Sequence, residues 1–359
     1  MGTRYIADWE DRLASHEAWW AREGQDGPLL WVTAPRDEPT EAAPEPAEPP
    51  LPGKYLDADY LVRLWRWRLA TTYFGGDAFP VADANLGPGS LALYLGAEPG
   101  FAEGTIWFEP AVKDLRADPL PRFDPDSRWF RVHLALVRRL REGLGGGCLV
   151  AIPDLVESLD ILAALRGPTA MLYDLKDCPA DCHRWLRRIN ELYRPHYDAF
   201  YEACRDGRGR STFTAFRLWG RGRVCKVQCD FAAMISPVMF QDVVVPSLQR
   251  LCDGLDYTIF HLDGPRQICH LEHLLDMDDL DGIQWVPGSG AAQCESTEWL
   301  DLYRRVLERD KLLVLQCISD YGKIPALLDQ LPNHGRIALI GGFATEAEGQ
   351  RFLESIPGR

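Results

Sequence analysis

The chain has 359 residues, with 39 Lys+Arg against 53 Asp+Glu, a formal net charge of −14 and 46% hydrophobic positions. That length accommodates one large (β/α)8 barrel as readily as two smaller domains. The acid excess excludes nucleic acid and anionic membranes as partners, because both are held by clustered Lys and Arg.

The first 23 residues carry charges throughout and contain no apolar run of signal-peptide length. No window supplies about 18 uninterrupted apolar residues, so the expectation is a cytoplasmic protein without a membrane span. The ten cysteines all lie beyond residue 147 at irregular spacings, the usage of a chain with reduced thiols. Cys178/Cys182 and Cys225/Cys229 have the spacing of zinc pairs, but spacing alone does not bring two pairs into one tetrahedron.

Residues 1–54 form an N-terminal extension that carries the first strand and a Pro-rich loop. In the loop, TEAAPEPAEPPLPG (40–53), prolines remove backbone donors and fix φ, which excludes a helix interior or a central strand. Residues 55–359 follow as one barrel. Leu61, Leu64, Trp65 and Leu69 repeat at helical spacing behind Asp57, a candidate N-cap. Ser236-Pro237 opens a second helix, expected to run to Gly254 with a kink at Pro246.

Short apolar runs recur between the helical stretches at 29–34, 79–84, 148–152, 223–229, 257–262, 282–286, 312–317 and 337–341. Eight strands alternating with helices predict the TIM barrel, with a helical and Pro-rich N-terminal extension. Gly145-Gly146-Gly147 precedes a strand, so it is a helix-to-strand turn and not the phosphate loop of a doubly wound sheet.

A barrel builds its site at the C-terminal ends of its strands. Asp83 and Asn85 end the second run, Asp154 and Glu157 follow the third, Asp230 ends the fourth, His261 and Asp263 end the fifth, and Cys317 ends the seventh. Asp83, Glu157 and Asp230 are the candidate catalytic groups; Asn85, Asp154, Trp31, Trp219 and Trp285 are candidates for binding substrate. Each has a plainer alternative. Asp154 and Asp320 suit helix N-caps, Glu157 suits a capping box with Asp154, and the tryptophans suit the core. His261, Asp263 and Cys317 together suit a three-ligand metal site with an open position. Asp263 could instead orient His261 for proton transfer, or both could bond only to backbone.

Three segments resemble the uroporphyrinogen decarboxylase superfamily: FPVADANLGPGSLALYLG, CLVAIPDLVESLDILAALRG, and Asp230-Phe-Ala-Ala-Met-Ile-Ser-Pro-Val-Met-Phe, which is similar to that family's D-x-x-x-x-x-S-P-x-x-[FY] segment. The resemblance runs in order over roughly residues 55 to 357. It implies a TIM barrel and makes Asp83 the family's catalytic-site aspartate. The decarboxylases' Arg-rich segment is reduced here to Arg36 beside Asp37 and Glu38, and their late His-Gly becomes Gly341-Gly342. An acidic mouth would also repel a polyanionic tetrapyrrole.

The corrinoid methyltransferase branch holds zinc with a His-x-Cys pair and a later Cys. The pair becomes His261-x-Asp263 here, and Cys317 stands in for the later thiolate. What the resemblance implies is a metal-assisted methyltransferase with zinc, a small-molecule substrate and a corrinoid or corrinoid-protein partner. The sequence is compatible with a homodimer and does not fix the oligomeric state. A carboxylate in place of a thiolate favours an oxygen substrate over a thiol. Two other readings stay open: a decarboxylase-type lyase acting on a tetrapyrrole or small carboxylate, in which Asp83 stabilises a developing cation, and a non-catalytic barrel that binds a corrinoid or tetrapyrrole.

Overall fold

The computed structural model describes residues 3–23 and 26–356. In chain order its strands are β1 (Leu29–Pro35), β2 (Thr72–Gly76), β3 (Val81–Ala82), β4 (Glu98–Phe101), β5 (Ile106–Glu109), β6 (Leu149–Val150), β7 (Arg210–Thr212), β8 (Trp219–Arg221), β9 (Val224–Gln228), β10 (Tyr257–Asp263), β11 (Gly282–Val286), β12 (Leu312–Leu315) and β13 (Ile337–Gly342). All eight apolar runs contain a strand. The largest sheet has the order β2-β1-β13-β12-β11-β10-β9. Every neighbouring pair in it is parallel except β1 with β2.

β3 and β6 form a separate parallel pair. A single parallel bridge from Ile152 to Phe213 links the β6 segment to the antiparallel β7–β8 hairpin. That hairpin leans on β9, where the Val224 amide donates to Ser211 Oγ at 3.3 Å. The result is a mixed α/β fold with a large, mostly parallel sheet. Its strands are largely buried on both faces, as strands covered on both sides are: all of Leu312–Leu315 is buried.

Three features depart from the sequence reading. β2 follows its helix directly and pairs antiparallel with β1, because Gly76 at φ +65° turns the chain where a Cβ would collide with the Leu30 carbonyl. The β4–β5 and β7–β8 hairpins interrupt the strand and helix alternation. The long helix expected after Ser236 is broken into a short helix (Pro237–Met239), a π turn (Phe240–Val244) and a second helix (Val245–Cys252). The π turn absorbs the distortion that Pro246 imposes.

The N-terminal extension is part of the same core. Trp9, Leu13, His16, Trp19 and Trp20 of the helix Trp9–Ala21 are buried. Trp20 Nε1 donates to the Trp219 carbonyl at 2.7 Å, and the His16 ring lies 5.3 Å from the Phe79 and Trp219 rings. Asp57 caps the helix Ala58–Thr71 by accepting from the Tyr60 amide at 2.9 Å. Asp57→Ala is expected to cost about 1 kcal/mol, read as a lower urea midpoint with an unchanged slope. Among the described residues no helix is long and apolar enough to cross a membrane.

Candidate active site

The register of three adjacent strands builds the site. His261 on β10 lies opposite Gln228 on β9 and Gln284 on β11, so three polar side chains stand abreast in an otherwise apolar wall. Side chains two apart on a strand share a face, which sets Lys226, Gln228 and, just past the strand, Asp230 in one row. Lys226 is buried, and its Nζ donates to Asp154 Oδ2 at 2.6 Å and to Gln228 Oε1. Gln228 Nε2 donates onward to Asp160 at 3.1 Å and to Asp230 at 3.0 Å.

Asp160, on the helix Ser158–Arg166, accepts from the Asp230 and Phe231 amides at 2.7 and 2.9 Å. It thereby fixes the turn that carries Asp230. Ligand atoms of Asp230, His261 and Asp263 lie within 4.8 Å of one another. His261 Nδ1 is hydrogen-bonded to Gln284 Oε1, which assigns the ring proton to Nδ1 and leaves the Nε2 lone pair free. Burial and the neighbouring Lys226 ammonium lower the His261 pKa. Burial and the Asp160 carboxylate push the Asp230 carboxyl up to about 7, with Lys226 opposing them.

Glu157 is wholly buried. Its Oε1 accepts from the Gln228 amide at 2.5 Å, and its Oε2 has no hydrogen-bond partner. Burial holds its carboxyl well above the usual range. It sits between Val156 and Ser158, both in left-handed backbone at φ +53° and +51°. For a β-branched residue that conformation is a true outlier, the kind of strain that gathers at functional sites.

Asp83 stands apart from this group. Arg217 Nη2 donates to its Oδ2 at 3.2 Å and Nη1 to the Val81 carbonyl at 3.0 Å. Burial raises the Asp83 carboxyl, and Arg217 and Arg68 pull it back down. Several expectations change at this point. Asn85 makes a turn, its Oδ1 accepting from the Gly87 amide at 2.9 Å. Trp219 and Trp285 are core residues with no exposed surface, because both are enclosed by other rings. Trp31 is buried too, but it forms part of the wall of a cavity of about 400 Å³.

Asp154 and Glu157 cap no helix, because Lys226 and Gln228 claim them; Asp320 does cap its turn, accepting from the Gly322 amide at 3.1 Å. Cys317, at φ +61°, falls outside the three-residue cluster, and Asp230 takes the third place. Burial and the adjacent Asp263 carboxylate raise its thiol pKa. The mouth is also less acidic than a count of carboxylates implies, since Asp83 is paired with Arg217 and Asp154 with Lys226.

No protein-family model matches the chain, and no curated protein is similar to it. Among solved structures it is similar to a methyltransferase from Methanosarcina mazei, with a TM-score of 0.62 and 15% identity over 96% of this chain and 97% of that one. At that identity the likeness shows a shared α/β fold.

Proposed function

We propose that the chain is a metal-assisted, methyltransferase-like member of the uroporphyrinogen decarboxylase superfamily, its parallel strands closing as a (β/α)8 barrel. The observation that carries this reading is the convergence of Asp230, His261 and Asp263 at the ends of β9 and β10, with the His261 ring already oriented by Gln284. One imidazole and two carboxylates suit zinc or another divalent ion with an open coordination position. When bound, such an ion supplies Lewis acidity and lowers the pKa of a coordinated hydroxyl.

The chain's own residues then have distinct tasks. Gln284 fixes the His261 tautomer, Asp160 holds the Asp230 turn, and Lys226 balances Asp154, which leaves the Asp230 and Asp263 carboxyls as the groups a cation would meet. The harder donor set favours an oxygen-bound methyl group over a thiol, with a corrinoid as the other participant. The fold shared with the archaeal methyltransferase supports this reading.

Equilibrium dialysis against Zn2+ tests it. The expected result is one ion per chain, lost in His261→Ala and Asp263→Asn, with affinity falling about 10- to 100-fold in Gln284→Leu, which removes the group that orients the ligand. Full zinc occupancy in His261→Ala would overturn the assignment. Zinc-dependent methylation of cob(I)alamin by methanol tests the transfer itself: the C–O bond breaks, the methyl group goes to cobalt and the oxygen leaves, protonated, as water.

A further inference from the structure

The cavity on the far side of Phe216 from the Asp230, His261 and Asp263 cluster has a chemistry of its own. Its volume of about 400 Å³ falls in the range of small-ligand sites. Trp31, Trp65, Phe216 and Ile340 contribute apolar wall, and Arg68 and Arg217 contribute two guanidinium groups. Both guanidinium carbons lie 5.2 Å from the centre of the Trp65 ring. Arg217 is held in left-handed backbone at φ +58° on the β7–β8 loop and is tied to Asp83 and the Val81 carbonyl.

The Arg68 guanidinium makes no hydrogen bond or ion pair among the described residues. Asp83 therefore balances one of two cations, leaving the cavity with a net positive charge. Gly342 keeps the space open: a Cβ there would meet nothing nearer than Thr33 Oγ1 at 4.0 Å. At the far wall the Phe216 ring lies 6.1 Å from the His261 ring, so Phe216 separates the cavity from the Asp230, His261 and Asp263 cluster. On the other side Arg68, Thr33, Thr72 and Gly342 also border an open depression of about 1110 Å³ beneath the Pro-rich loop, which provides a way in.

We infer that this cavity takes the carboxylate of a small monocarboxylic ligand, gripped by Arg217 and Arg68 across the Trp65 ring, with the apolar body against Phe216 and Ile340, the wall that backs onto His261. The planar fork of a guanidinium matches a carboxylate in two hydrogen bonds. The inference goes beyond the metal-centre reading and is tested separately from it.

Tryptophan fluorescence of the full chain, titrated with phenylacetate and with its uncharged isostere phenylacetamide, is the test. Phenylacetate is expected to bind saturably and the amide about tenfold or more weakly. Arg68→Gln, on an exposed helix position, is expected to weaken phenylacetate about tenfold and leave the amide unchanged; Arg217→Lys serves as a second variant, with thermal unfolding checked alongside. His261→Ala is expected to lose zinc while keeping the phenylacetate affinity, which separates failure of the metal reading from failure of this one. Equal affinities for acid and amide, no saturable binding of phenylacetate at millimolar concentration, or an Arg68→Gln chain that binds phenylacetate as before would overturn the inference.

Discussion

Lys226→Ala is expected to lower the free energy of unfolding by about 3–5 kcal/mol, the cost of leaving a buried partner charge uncompensated. Burial alone would lower the pKa of this lysine, yet the Asp154 carboxylate beside it holds the value above the ordinary one. Removing the ammonium strands Asp154, whose side chain is only 13% exposed, and releases Gln228 Oε1 as well. Chemical unfolding of Lys226→Ala, Asp154→Ala and the double variant measures the coupling, expected at about 1–3 kcal/mol. A loss below about 1 kcal/mol in Lys226→Ala would place this pair among surface ion pairs and remove it as the support of the site. A functional consequence follows from the same geometry. Gln228 links Lys226 to Asp160 and Asp230, so under the proposed metal-site reading the variant is also expected to weaken zinc binding.

Strand positions were legible in the sequence because each strand is an apolar run between polar turns, and both faces of a covered sheet are apolar. His261 and Asp263 were legible by their place at a strand end. Lys226, Gln228 and Gln284 were not, although one signal was present: in Lys226-Val-Gln-Cys-Asp230 polar residues recur every second position inside a strand that is otherwise fit for burial. Their meaning depends on register, which sets Gln228, His261 and Gln284 abreast, and register between strands tens of residues apart is a tertiary property. Arg217 was hidden for a different reason. It lies in a hairpin inserted between β6 and β9, and the pairing with Asp83 spans 134 positions. Cys317 follows a strand in the same way, but its sulfur is not among the three groups that converge.

Glu157→Gln is expected to leave stability nearly unchanged at pH 5 and to make the chain more stable than the parent at pH 8. A carboxyl whose pKa is higher in the folded chain than in the unfolded one binds its proton more tightly when folded. Stability therefore falls as pH rises above the usual value near 4.5, by up to roughly 1 kcal/mol per pH unit until the folded value is reached. Glutamine keeps an oxygen for the Gln228 amide and cannot ionise, so the difference between variant and parent isolates this one group. Glu157→Leu removes that acceptor and should cost about 1–3 kcal/mol at every pH. A parent and Glu157→Gln pair with parallel stability curves from pH 5 to 8 would mean that the carboxyl is ionised in the folded chain. The strained backbone at Val156 and Ser158 is then accounted for by what it positions. It holds beneath Gln228 a buried acid whose raised pKa disfavours a further negative charge there, beside Asp230 and Asp263.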